Sequence, residues 1–170
     1  MTEDVGPRTG RTPASPRPRR FPIVMTFLTL IGLAISLYLT VAHYSHEISP
    51  VCTESATIDC AAVTSSEYSE FMGIPLPVLG MGFFVGFGAL ITPWAWRSEK
   101  PALRRGRLCA TLAGVVFVVY LVSAELIVLG KICLWCTAVH IVTVLLFGLV
   151  VADEYRRIGQ ASGALRKVRQ

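Results

Sequence analysis

Residues 22–43 read PIVMTFLTLIGLAISLYLTVAH, a run of 22 positions without an Asp, Glu, Lys or Arg. Wound as a helix at 1.5 Å per residue, such a run crosses roughly the 30 Å of a bilayer's hydrocarbon core. A cleaved signal peptide is the competing reading. Its apolar core covers only about 7–15 residues and is followed by a small-residue cleavage site, and neither feature is present. Working outward, three more apolar runs follow: about 75–96, about 108–129 with the single carboxylate Glu125, and 132–153. The predicted fold is therefore an all-α membrane protein, a four-transmembrane-helix bundle. Composition agrees: 53% of the 170 residues are hydrophobic, 16% are charged, and the mean hydropathy is +0.58, whereas a soluble domain carries about a quarter charged residues.

The net charge of +5 does not point to nucleic acid, because the basic residues sit between apolar runs with no aromatic interleaving. Arg8, Arg11, Arg17, Arg19 and Arg20 lie in a Pro- and Gly-rich tail (1–20) read as disordered. Arg97, Lys100, Arg104, Arg105 and Arg107 fill the second connection, and Arg156, Arg157, Arg166, Lys167 and Arg169 a basic tail over 154–170. These are 15 of the 16 Lys and Arg residues, and four spans put all three segments on one side. The connection over 44–74 holds none. The positive-inside rule makes the three basic segments, and both termini, cytoplasmic and puts the 44–74 loop outside. The membrane domain then covers 21–153.

That topology sorts the cysteines. Cys52 and Cys60 lie in the external loop, and Cys133 and Cys136, in CLWC, open the fourth span at the same face. Cys109, alone at the cytoplasmic end of the third span, reads as a small apolar packing residue. Disulfides persist on the external side. A Cys-x-x-Cys at a helix start shares one face and meets free N–H groups and a positive dipole end, both of which favour the thiolate that performs thiol–disulfide exchange. The loop pair either closes on itself or lets one sulfur swing toward the helix. Two inert stabilising disulfides, or four thiolates around zinc or copper, are the plain alternatives.

Ionisable groups inside a span are candidates for function. His140, four residues after Cys136 and seven after Cys133, shares their helix face about 10 Å into the membrane, a depth suited to the carbonyl of a quinone head group. Glu125 is placed to relay protons or to hold a neighbouring helix. The stretch 61–71 alternates Ala62, Val63, Tyr68 and Phe71 with Ser65, Ser66, Glu67 and Glu70, and reads as a short amphipathic helix across the top of the bundle.

Cys52 and Cys60 in the first loop, Ser65-Ser66, Gly73-Ile74-Pro75 with Gly80 entering the second span, and Cys133-Leu134-Trp135-Cys136 together resemble the bacterial branch of the vitamin K epoxide reductase family over about residues 25–150. The resemblance implies a four-helix bundle around a quinone of the menaquinone or ubiquinone class, in a bacterial plasma membrane, supporting protein disulfide formation. It implies that Cys52 exchanges with a thioredoxin-fold partner, that Cys60 passes electrons to Cys133, and that Cys136 stands next to the quinone. Quinone contacts carried over by motif position are Ser65, Ser66 and Leu76, with His140 and Glu125. The chain departs from animal members at Leu76, where they have asparagine, and at His140, where they have tyrosine. Some bacterial members carry a fused thioredoxin-like domain, and the short tail here predicts a separate partner. The loop's Glu47, Glu54, Asp59, Glu67 and Glu70 suit a partner with a neutral or basic face.

Three other functions fit parts of the pattern. A second family of four-span thiol oxidases is similar in task but carries its Cys-x-x-Cys in the first external loop, the reverse of the order here. Reduction of a vitamin K or quinone epoxide would move electrons the same way. A non-enzymatic metal-binding membrane protein would use the cysteines as ligands.

Overall fold

The computed structural model of the chain describes residues 20–45, 50–52, 55–98 and 100–168. The tail expected over 1–20 lies, but for Arg20, outside the described residues, as do Glu47 and Glu54 of the loop. Among the described residues, six α-helices run in the order α1 (Arg20–Tyr44), α2 (Cys60–Thr64), α3 (Leu76–Ile91), α4 (Pro93–Arg97), α5 (Pro101–Ser123) and α6 (Leu134–Val168). A two-stranded hairpin, β1 (Glu70–Phe71) with β2 (Ile74–Pro75), precedes α3.

Among the described residues, three helical stretches are long and apolar enough to cross a membrane: Phe21–Tyr44, Pro101–Leu129 and Leu134–Gln160. The second expected span is shorter than 75–96. Pro93 has no N–H to continue the ladder and disfavours helical backbone at Thr92. Thr92 accordingly takes ψ 150°, and the run breaks into the 16-residue α3 and the short α4. The basic connection also differs from expectation. Pro101 opens α5 at a position that favours proline, so Arg104, Arg105 and Arg107 stand on helix rather than loop. Likewise the fourth span does not stop at 153, because α6 continues through the basic tail to Val168. There Arg157 pairs with Asp153 at 2.7 Å one turn away, and Arg104 of α5 pairs with Glu154.

α1 lies against α3 and α6, and α5 against α6. Met25, Phe84, Phe87, Val142 and Leu146 form the buried centre, while Ile23, Val116, Ile127 and many other apolar side chains face outward, as lipid allows. Small residues permit the close approach. A Cβ at Gly32 would run into the ring of Phe84, and one at Gly80 would stand 3.0 Å from Ser36 Oγ. Hydroxyls buried in the spans donate to carbonyls one turn back, Thr29 to Met25 at 2.7 Å and Thr111 to Arg107 at 3.0 Å, so these two donors are satisfied without water.

The segment between α1 and α3 is more broken than one amphipathic helix. α2 is five residues long, capped by Asp59 Oδ1 accepting from the Ala62 N–H at 2.9 Å, and a 3₁₀ turn (Glu67–Ser69) follows. Met72 and Gly73, at φ 54° and 79°, make the two-residue hairpin turn, the pair of left-handed conformations that a twisted hairpin needs. Phe71 packs edge-on against Phe117 of α5, centroids 5.7 Å apart, and so pins the hairpin to the bundle.

Candidate functional site

Four of the cysteines form two disulfides, Cys52–Cys60 and Cys133–Cys136, with Cα separations of 6.0 and 5.2 Å. The loop pair thus closes on itself. Cys109 is a free thiol, but it is exposed on α5, so the expectation of a buried packing residue is corrected: in a membrane helix an apolar side chain can face outward as readily as inward.

α6 begins at Leu134, which puts Cys133 in the capping position just before the helix. Its sulfur accepts from the Cys136 N–H at 3.2 Å, and its carbonyl accepts from the N–H and the hydroxyl of Thr137, each at 2.9 Å. The sulfur therefore stands where a Ser or Asp oxygen caps other helices. Before the cap, Ile132 forms a parallel bridge with Ile58 of the loop: its N–H donates to Thr57 O at 2.9 Å and its carbonyl accepts from the Asp59 N–H at 3.1 Å. Cys60 follows Asp59 and Cys133 follows Ile132. Cys60 and Cys133 are both fully buried in one cluster with Val63, and Cys52, Leu129, Trp135 and Cys136 pack around it.

Below the cluster lies a cavity of about 430 Å³. Cys136, His140 and Thr143 line it from α6; Ser36 and Leu39 from α1; Leu76, Gly80, Phe83 and Phe84 from α3; Gly114 and Phe117 from α5. Val63, Ser66, Tyr68 and Phe71 close its outer end. Glu125 lines it from a π-helical stretch (Ala124–Leu129) that continues α5 and ends at Gly130, φ 61°. Such wide turns recur at functional sites. The carboxylate of Glu125 interacts with the backbone N–H of Cys133.

Of the residues singled out from the sequence, Cys136, His140, Glu125, Ser66 and Leu76 meet at this cavity. Ser65 does not: it is exposed, and its hydroxyl is turned back to Ala61 O at 2.8 Å. The sequence reading missed Ser36, Thr143, Phe83 and Phe84. Thr143 had a legible signal, three residues beyond His140 on the same helix face.

A quinone head group is flat and apolar with two carbonyls, and the walls suit it: mainly aromatic and aliphatic, with a few polar groups. One of those is unused. Among the described residues His140 Nδ1, which is buried, has no hydrogen-bond partner, a costly state that a ligand atom would relieve. Among the described residues no group of three His, Cys, Asp or Glu is gathered to hold a metal ion.

Outside the cavity, Trp135 of the Cys-x-x-Cys reaches across to the loop. Its Nε1–H donates to the carbonyl of Val51 at 2.9 Å, while the Val51 N–H donates to Tyr38 Oη of α1 at 3.0 Å. The Tyr38 and Trp135 rings touch, centroids 5.0 Å apart.

Comparison with models of protein families finds that the model described as Vitamin K epoxide reductase family matches residues 23–151. The match runs from the first turn of α1 to about the middle of α6, including all four paired cysteines and the whole cavity.

Proposed function

From the premise that this chain belongs to the vitamin K epoxide reductase family, membrane oxidoreductases linked to quinone and thiol redox chemistry, we propose that it reoxidises a thioredoxin-fold partner on the outer face of a bacterial plasma membrane and delivers the electrons to a membrane quinone. In this reading the domain over 21–153 crosses the membrane four times, with α3 and α4 as the second crossing and the basic segments cytoplasmic. The observation that carries it is the sealed cluster of Cys60 and Cys133, with half-buried Cys52 on one side and Cys136 on the cavity wall on the other.

The exchanges balance as two electrons throughout. A partner thiolate attacks Cys52, the Cys52–Cys60 bond breaks, and Cys60 leaves as thiolate; the partner's second thiol closes the partner's own disulfide and frees Cys52. Cys60 attacks Cys133, the Cys133–Cys136 bond breaks, and Cys136 leaves as thiolate beside the cavity. Cys52 then re-forms its bond with Cys60 and frees Cys133. Burial of Cys60 and Cys133 keeps competing thiols and water from the internal transfer. A quinone held in the cavity would supply the acceptor, so that the Cys133/Cys136 dithiol returns to its disulfide as two electrons and two protons pass to it. His140, with its unpartnered Nδ1, orients it, and Phe83, Phe84, Leu76 and Ser66 shape its surroundings. Glu125, beside the Cys133 N–H, is placed to hold or move a proton.

The test is anaerobic oxidation of a reduced thioredoxin-fold protein by added quinone. Cys52→Ala, Cys60→Ala, Cys133→Ala and Cys136→Ala are each expected to abolish turnover; wild-type rates in all four would refute the path.

A further inference from the structure

The backbone of Val51 is held at its N–H and at its carbonyl by side chains from two different helices. Tyr38 Oη takes its N–H at 3.0 Å and Trp135 Nε1 gives to its carbonyl at 2.9 Å. This segment has no regular secondary structure, so without those side chains its backbone groups would turn to water. The two rings lie against each other at 54°, so each fixes the other's orientation. The Val51 side chain itself points outward and is 79% exposed; what is held is the backbone. The next Cα, 3.8 Å on, is that of Cys52. Trp135 also stands between Cys133 and Cys136, so one indole joins the loop disulfide to the helix disulfide.

We propose that Tyr38 and Trp135 are positioning residues: together they grip the peptide before Cys52 and hold its sulfur against the Cys60–Cys133 cluster, with one face open to an incoming thiol. Neither touches a reacting atom. Their effect is on how often Cys52 occupies the geometry for exchange, and hence on reaction with a large partner that must dock around it. A small dithiol, which can approach from many directions, depends on the grip far less. The inference rests on the reading that Cys52 receives the partner's thiol.

The experiment uses the full chain in detergent or nanodiscs, wild type against Tyr38→Phe and Trp135→Phe, which keep an aromatic ring at each position and delete one hydrogen bond each. In fully reduced protein without quinone, alkylation by iodoacetamide is followed at each cysteine by mass spectrometry. The Cys52 rate is expected to rise roughly threefold to tenfold in either variant, the scale of one lost hydrogen bond, with Cys109 unchanged as internal reference. In turnover, Tyr38→Phe is expected to raise KM for a reduced thioredoxin-fold protein by a similar factor, with kcat nearly unchanged and the rate with dithiothreitol retained. An unchanged Cys52 alkylation rate overturns the proposal, and so does an equal loss with both reductants, which would mark general damage. A wild-type protein that oxidises dithiothreitol but no thioredoxin-fold protein would instead refute the proposed function, while the alkylation result would still decide the grip.

Discussion

Asp59 and Ile132, far apart in the chain, share a backbone hydrogen bond of 3.1 Å, and each is followed by a cysteine buried in the same cluster. With Ile132 N–H bonded to Thr57 O in return, the two segments run parallel and deliver Cys60 and Cys133 side by side. Replacing Cys52 and Cys136 together by Ala removes both native partners and leaves these two thiols facing one another. Mild oxidation of that variant is expected to yield a Cys60–Cys133 disulfide as the main product, identified by peptide mass spectrometry without reduction. If the two remain free thiols, the internal transfer does not run between them.

Three long apolar helices and the alignment of Cys136 with His140 were legible in the sequence, because each depends on local periodicity. What was not legible needs the third dimension. Ser65 and Ser66 are neighbours of the same type, yet a single turn of chain sends Ser66 to the cavity and Ser65 to solvent. The grip on Val51 joins residues from α1 and α6 that no spacing rule connects. The helical course of the basic tail escaped because charge was read as the end of a span, although Asp153 and Arg157 stand at the i, i+4 spacing that supports a helix.

His140 is the clearest case where stability and activity should part. Its buried Nδ1 has no partner, and such a group costs about 1–3 kcal/mol. His140→Leu is therefore expected to leave the thermal stability of quinone-depleted protein unchanged or slightly higher. The stabilisation gained on adding quinone should shrink, and KM for quinone should rise about tenfold, the equivalent of about 1.4 kcal/mol. A loss of stability with quinone binding intact would show that the imidazole serves only to pack α6.

Gly114 offers a way to disturb the cavity without touching a sulfur. A Cβ there would stand 3.0 Å from Thr143 Cγ2 and 3.1 Å from the ring of Phe83, two residues of the cavity wall. Gly114→Val is expected to cost about 1–3 kcal/mol from overpacking and to weaken quinone binding. Disulfide formation at both cysteine pairs, read by thiol titration, should survive. Loss of either disulfide would mean that the cavity and the sulfur cluster are a single cooperative unit.

Cys109 is remote from the disulfide cluster and does not line the cavity. Cys109→Ala removes an exposed side chain on the outside of α5, so it should change neither turnover nor stability by more than about 0.5 kcal/mol. A severe loss of activity, measured with quinone and a reduced protein substrate, would assign this thiol a part in the electron path.

The orientation of the bundle has its own test, independent of catalysis. Cys52, Cys60, Cys133 and Cys136 lie at the end of the helices away from the basic residues of α5 and α6, and basic segments are retained in the cytoplasm. In a chain with all five native cysteines replaced, Ala56→Cys would sit on the loop and Ser162→Cys on the far end of α6, both at exposed positions. A membrane-impermeant maleimide is expected to label the first in intact cells and the second only after permeabilisation. The opposite pattern would put the disulfides in a reducing compartment, where neither pair would stay oxidised.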